Sequence, residues 1–115
     1  MAPYVSAWVG GSGVVTQAHY DVANNVFVQV YGTKCFHLYP PSKATELHVY
    51  PDAHPRARKS QVDFDDPDLK LLPLFETLGD PYMKVTLKPG DALYIPPFWF
   101  HHVEALTPSV SINVF

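Results

Sequence analysis

The sequence predicts an all-β fold built from two sheets, a jelly roll or a barrel. Three observations support this prediction. About eight short runs are rich in β-branched and aromatic side chains, the residue types that strands favour. Turn sequences containing glycine or proline separate these runs at short, regular intervals. The twelve prolines are about twice average usage and favour many loops over long helices.

The predicted strands form two groups on either side of an irregular segment, residues 42–81. This segment is polar and punctuated by proline, with one helical turn expected at residues 42–47 and a short helix at residues 69–78. It therefore reads as a short helical or loop insertion between two halves of a β-fold, and such long loops are often functional. The predicted strands are residues 4–9, 14–20, 26–31, 34–39, 82–87, 92–95, 102–106 and 110–115.

Length and charge restrict the classes of function. At 115 residues the chain can form at most one small domain. The formal net charge of −3 gives no global positive field, so we expect no nucleic-acid partner, and no apolar run approaches the ~20 residues of a membrane span. Arg56, Arg58 and Lys59 are the one local basic cluster, which we interpret as a solvated loop. Cys35 stands alone and within a strand-like run, which predicts a buried small hydrophobe and is compatible with a reducing compartment.

Two histidines and one aspartate are the candidate metal ligands. His19 and Asp21 are two residues apart, so on a strand both side chains point to the same face. A distant strand would bring the third ligand, His101 or His102, and spacing alone leaves both open. Two imidazoles and one carboxylate hold Fe(II) with positions left open for chemistry. We interpret the other histidines as structural or surface residues: His37, His48 and His54.

Three further polar residues accompany strand sequence. Lys34 opens a strand, and an ammonium pointing into a barrel would need an anion because a buried unpaired charge is costly. Asn25 and Asn113 lie in apolar runs, where a buried amide must find hydrogen-bond partners. A bound carboxylate would serve all three. The alternatives are an exposed lysine at a hairpin end and asparagines that face water.

The order and spacing of several motifs resemble the JmjC-type, cupin-like Fe(II)/2-oxoglutarate dioxygenases. The resemblance is strongest to the group of the asparaginyl hydroxylase that inhibits hypoxia-inducible factor. Each motif alone is modest, but their order and spacing together are specific. The matching segments are residues 16–21, Asn25, 29–34, 38–41, 60–65, 67–68 and 89–104.

The resemblance implies a double-stranded β-helix, the jelly-roll or cupin fold, over residues 1–115. It implies that Fe(II) is bound by His19, Asp21 and His101, the first of the histidine pair. It further implies that 2-oxoglutarate is held at its distal carboxylate by Lys34 and Thr16 and near its chelating end by Asn25 and Asn113. The family's reaction uses O2 to couple decarboxylation of 2-oxoglutarate to hydroxylation of a C–H bond, and a protein or peptide is the expected substrate. The expected location is the cytoplasm, the nucleus or both.

Several alternatives stay open. Within the same family the chain could be a histone or protein demethylase or a hydroxylase of a tRNA base. A second hypothesis is a metal-binding cupin fragment without catalysis. A third is a metal-dependent isomerase or a sugar-binding cupin, which Asp21 and Lys34 disfavour. We expect the domain to be incomplete at both ends. The family supplies a further tyrosine upstream, and downstream it has helices that form a homodimer interface in the full-length protein.

Overall fold

The computed structural model describes residues 4–115, which form eight strands and two short 3₁₀ helices. The strands are β1 (Val5–Gly10), β2 (Val15–His19), β3 (Asn25–Tyr31), β4 (Lys34–Tyr39), β5 (Met83–Leu87), β6 (Ala92–Ile95), β7 (Phe100–Ala105) and β8 (Ser109–Val114). The 3₁₀ helices are Pro41–Lys43 and Pro73–Thr77, both within the insertion.

The strands form two four-stranded antiparallel sheets. One has the order β1-β8-β3-β6 and the other has the order β2-β7-β4-β5. Strands adjacent in sequence alternate between sheets at several points, β1 and β2 among them, and this crossing is typical of a jelly roll. The predicted all-β jelly roll is therefore confirmed.

Every strand except β7 has bounds within one residue of the predicted ones. Strand β7 begins at Phe100 and not at residue 102, because Phe100 and His101 pair with Tyr39 and Leu38 of β4. His101 consequently lies within a strand. Pro73 opens a 3₁₀ helix where an interruption was expected, since the first turn of a helix needs no proline N–H. Within residues 4–115 no helix has the length and apolarity needed to cross a bilayer.

The main core lies between the two sheets. It contains Phe36, which is fully buried, and Phe27, whose ring meets that of Phe36 edge to face with centres 4.8 Å apart. Fully burying one such side chain stabilises the fold by about 1.5–3 kcal/mol. The other buried members are Leu38, Leu87, Ile95 and Val103.

A second core holds the insertion against the outer face of the β2-β7-β4-β5 sheet. Leu47 and Leu78 come from the insertion and pack with Ala18, Tyr39 and Phe100 of the sheet. The insertion, residues 42–81, is thereby anchored beside β2.

The insertion also covers the edge of the sheet. The Ser60 amide donates to Ala18 O at 2.9 Å, and the Tyr20 amide donates to Arg58 O at 3.1 Å. Strand β2 is the outermost strand of its sheet, and an unpaired edge invites pairing with other chains. Residues 58–60 remove that edge and fix their own position relative to His19, which pairs with Lys59.

A buried glutamine stabilises the tight connection from β3 to β4, two strands that lie in different sheets and do not pair as a hairpin. Gln29 is fully buried, and its Nε2 donates to Tyr31 O at 2.8 Å and to Gly32 O at 3.1 Å. Its Oε1 accepts a hydrogen bond from Ser111 Oγ at 2.7 Å. Because every polar atom has a partner, this side chain stabilises the turn and does not require a ligand.

We predict that Gly32→Ala destabilises the fold far more than Gly13→Ala. Both glycines have left-handed φ, +72° and +81°, and alanine there costs about 1 kcal/mol. A Cβ on Gly32 would also collide with Pro108 O and lie 2.6 Å from Thr107 Oγ1, whereas a Cβ on Gly13 meets nothing within 4 Å. The expected loss at Gly32 is roughly 3 kcal/mol or more, measured by urea unfolding. Equal losses for the two variants would contradict the collision.

Candidate metal centre

The structure brings His19, Asp21 and His101 together. His19 is the last residue of β2 and pairs with His101 on β7, while Asp21 lies just beyond the end of β2. One ligand atom from each residue lies within 4.8 Å of the other two. His102, the neighbour that spacing left open, is not part of this group.

Backbone carbonyls orient both imidazoles. His19 Nδ1 lies 3.0 Å from Gln17 O, and His101 Nδ1 lies 3.2 Å from Trp99 O. A carbonyl only accepts, so each Nδ1 carries the proton and each Nε2 is left as a metal-ligating lone pair. The two Nε2 atoms lie 3.9 Å and 3.4 Å from the same Asp21 oxygen, Oδ2.

A β-bulge aligns the site with the cavity. The pairing shifts between Thr16, opposite Val103, and His19, opposite His101, so three residue steps on β2 match two on β7. In a regular strand, residues three apart face opposite sides of the sheet. The extra residue lets both Thr16 and His19 line the same interior cavity. The spacing of the motif gave no signal of this bulge.

Two residues with left-handed backbone hold the segment that carries Asp21. Arg58 has φ +76° and accepts from the Tyr20 amide, and Phe98 has φ +68° and donates its amide to Asp21 O at 2.8 Å. Left-handed φ is costly for residues other than glycine and clusters at functional sites. The backbone next to Asp21 is thus fixed from both sides.

The charges of the three groups suit a cation. Burial, and then the neighbouring His101, lower the pKa of His19 to about 4. The adjacent His101 ring, and then His19 and Arg58, hold the pKa of Asp21 below its usual value. At neutral pH His19 is therefore neutral and Asp21 is ionised, the protonation states in which these residues bind metals.

A cavity of about 150 Å³ opens beside the three ligands. It is lined by all four predicted cofactor-binding residues: Thr16, Asn25, Lys34 and Asn113. Both asparagines are buried, at 2% exposure each. Asn25 Oδ1 has no hydrogen-bond partner among residues 4–115, whereas Asn113 Oδ1 accepts from Trp8 Nε1 at 2.8 Å. Trp8 was not identified from the sequence, because nothing in its position indicates that β1 pairs with β8.

Lys34 is a half-buried cation in the same cavity. Its Nζ lies 5.4 Å from the centre of the Phe27 ring, and burial lowers its pKa. The ion pairs found among residues 4–115 all involve Asp21, so Lys34 has no carboxylate partner within this part of the chain. An anion in the cavity would offset the cost of burying this charge.

His102 faces the opposite side of the sheet from His101. It is 5% exposed, and its ring stacks on Phe64 of the insertion at 4.2 Å and 7°. Neither ring nitrogen has a hydrogen-bond partner in the described part of the chain, and burial lowers the pKa of His102 to about 4. Cys35, on the same outer face, is buried as expected.

A family model for the cupin-like domain matches residues 2–115. The chain belongs to the cupin-like domain family. Its curated relatives include JmjC domain-containing protein D of Dictyostelium discoideum, 35% identical over 94% of this chain and 24% of the relative. Lysine-specific demethylase JMJ30 of Arabidopsis thaliana is 38% identical over 95% of this chain and 25% of the relative. The tRNA wybutosine-synthesizing protein 5 of Danio rerio is 40% identical over 93% and 31% respectively.

The chain thus spans between about a quarter and a third of these relatives' length. Solved structures support the fold. A cupin superfamily protein of Desulfitobacterium hafniense has a TM-score of 0.55 at 12% identity, covering 97% of this chain and 64% of its own. KdgF from Halomonas sp. has a TM-score of 0.57 at 17% identity, covering 98% and 68%. The resemblance to the JmjC group is confirmed, and the closer resemblance to the asparaginyl hydroxylase stays a prediction.

Acid should destabilise the metal-free protein between about pH 6.5 and pH 4. The pKa values of His19 and His102 fall from 6.5 in the unfolded chain to about 4 in the native one, so the unfolded state binds more protons in this window. Stability therefore rises with pH across the window and is lost on acidification. The stability that ionised Asp21 contributes is lost only when the pH falls below 3.8, the ordinary pKa of its carboxyl group. Urea unfolding against pH, with a chelator present, measures the slope.

The matched variant for this measurement is His102→Gln, which removes one of these groups and leaves His19 in place. Its slope should be smaller than the wild-type slope but not zero, because His19 and His37, whose pKa values burial also lowers, still contribute. An unchanged slope in this variant would contradict the assignment of His102 as a buried neutral group.

Phe98→Val should weaken metal binding more than Phe98→Gly. Valine is β-branched and strongly disfavours φ +68°, so the amide that donates to Asp21 O would move. Glycine adopts this conformation freely and loses only the side chain. We expect about a tenfold weaker Mn(II) affinity for the valine variant and a change within about threefold for glycine, measured by titration calorimetry. Equal affinities for both variants would show that the left-handed backbone does not position Asp21.

Proposed function

We propose that this chain is the core of an Fe(II)- and 2-oxoglutarate-dependent dioxygenase that hydroxylates a protein side chain. One observation carries the proposal. A set of two imidazoles and one carboxylate shares a single cavity with a half-buried lysine that has no carboxylate partner within residues 4–115. A metal-binding cupin without this chemistry would have no need of that cation.

The metal would be held by His19 Nε2, His101 Nε2 and the Asp21 carboxylate. The donor set fits iron, since two imidazoles and one carboxylate are the ligands of non-haem Fe(II) oxygenases and leave positions open for other ligands. Iron, 2-oxoglutarate and O2 together supply the oxidising power that hydroxylates an unactivated C–H bond. The protein's own part is to fix the two ring orientations through Gln17 O and Trp99 O.

The co-substrate would be bound by residues on four strands, β2, β3, β4 and β8. Lys34 Nζ is the cation for the distal carboxylate of 2-oxoglutarate, and the Thr16 hydroxyl is a neutral donor lining the same cavity. Asn25 and Asn113 would lie near the chelating end. Because Asn113 Oδ1 already accepts from Trp8, the N–H groups of that amide are the ones left to donate to an anion.

The residues of this site indicate the type of reaction, whereas several classes of substrate are compatible with them. The motifs resemble most those of the asparaginyl hydroxylase group, and this resemblance favours a protein substrate. The same chemistry serves a demethylase, and one relative is named a lysine-specific demethylase and another a tRNA wybutosine-synthesizing protein. Those names describe proteins of which the chain covers less than a third.

Anaerobic titration of the Fe(II)-loaded protein with 2-oxoglutarate tests the proposal. We expect a visible metal-to-ligand charge-transfer band, absent in His19→Ala. Lys34→Gln should raise the 2-oxoglutarate concentration at half-saturation about tenfold to a hundredfold, because it removes the charge that meets the distal carboxylate. Lys88→Gln, an exposed lysine outside the cavity, is the matched control and should not change the titration.

A folded, metal-loaded wild-type protein that shows no band would overturn the dioxygenase proposal. The remaining hypothesis would then be that the chain is a metal-binding cupin fragment without catalytic activity. A normal half-saturation in Lys34→Gln would remove Lys34 from the co-substrate site while leaving the metal site intact.

A further inference from the structure

A second, larger cavity borders the metal centre on the side of the insertion. Its volume is about 500 Å³, and His19 and Thr16 line both this groove and the smaller cavity. Two residues of the basic cluster line this groove, Arg56 and Lys59, although the sequence was interpreted as a solvated loop here. The lining of this groove includes Trp8, Gln17, His19, Tyr50, Arg56 and Lys59.

Backbone hydrogen bonds fix the position of Arg56 and Lys59 at the groove. Lys59 pairs with His19 across an antiparallel bridge, and residues paired in this way project their side chains to the same face. The Tyr50 amide donates to Lys59 O at 3.0 Å, and the Lys59 amide donates to Arg56 O at 3.1 Å. The segment that carries both cations is therefore tied to β2 and to the rest of the insertion.

The groove carries positive charge without a compensating carboxylate. Arg56 and Lys59 are exposed, and no acidic side chain lines the groove within residues 4–115. Arg58, from the same cluster, lies 3.9 Å from Asp21. A metal ion bound by Asp21 would neutralise that carboxylate and leave Arg58 available to a second anion.

The remaining walls suit a polypeptide. Trp8 and Tyr50 present aromatic surface, and Gln17 Oε1 is buried in the wall with no hydrogen-bond partner within residues 4–115. Aromatic walls with a few polar groups are typical of sites that bind side chains and peptide amides. The formal net charge of −3 provides no extended positive field, which disfavours a long polyanion.

We infer that the groove lined by Arg56 and Lys59 receives a substrate segment bearing a carboxylate side chain next to the residue that reacts. The inference rests on the proposed function, since it concerns the substrate of that site. The groove opens at His19, so a segment lying in it passes beside the metal ligands. Arg56 and Lys59 then select acidic sequence, and this selection weakens as salt screens the charges.

Fluorescence anisotropy with the Mn(II)-loaded protein tests the inference without turnover. The probes are a short fluorescein-labelled peptide rich in aspartate, its twin with asparagine at the same positions, and an oligouridylate of matched length. We expect the aspartate peptide to bind about tenfold more tightly than its twin, with a difference that shrinks at high salt. The double variant Arg56→Gln/Lys59→Gln should abolish this difference.

The matched control is Lys70→Gln/Lys88→Gln, which removes the same charge from exposed positions outside the groove and should keep the preference. Equal binding of the two peptides, an equal loss in both double variants, or tighter binding of the oligouridylate would each overturn the inference. The charge-transfer titration with 2-oxoglutarate is independent of these probes. A normal titration together with equal peptide binding would therefore refute the acidic substrate alone.

Discussion

The pairing of β2 with β7, with one extra residue on β2, is the constraint on which the site depends. It sets His19 opposite His101, and the bulge turns Thr16 towards the same cavity. A bulge costs ladder hydrogen bonds, and the fold retains it where it re-aims side chains. Metal ligands and cavity wall are thus consequences of one register.

The insertion stabilises the fold by covering one edge and the outer face of a sheet, and this position also brings it to the metal centre. Strand β2 is the edge of its sheet, and residues 58–60 satisfy its backbone groups while Leu47 and Leu78 bury the outer face. The same residues 58–60 bring Arg58 and Lys59 to the metal centre. Stability and charge placement therefore use the same segment.

Buried polar groups divide into two kinds in this structure. Gln29 satisfies all its polar atoms within the protein, and its position explains a turn. Within residues 4–115, Asn25 Oδ1 has no hydrogen-bond partner and the half-buried Lys34 has no carboxylate partner, and both line the cavity, as expected of groups that bind a ligand. His102 is also unsatisfied but lies under Phe64 on the outer face, away from the cavity. Nothing in the proposed reaction uses His102.

The sequence by itself determined the strand content, because alternation and turn residues are local signals, and all eight predicted strands are present with bounds that differ by at most two residues. It also singled out His19 and Asp21, whose spacing is short enough to read directly. Spacing left His101 and His102 open and the family resemblance favoured His101; the tertiary structure brings His101, and not His102, to His19 and Asp21, because it sets which face of β7 turns inward. The groove formed with the basic insertion, and the contact between Trp8 and Asn113, join residues far apart in sequence. Such contacts are set by sheet order and register, which a single sequence does not encode in any local pattern.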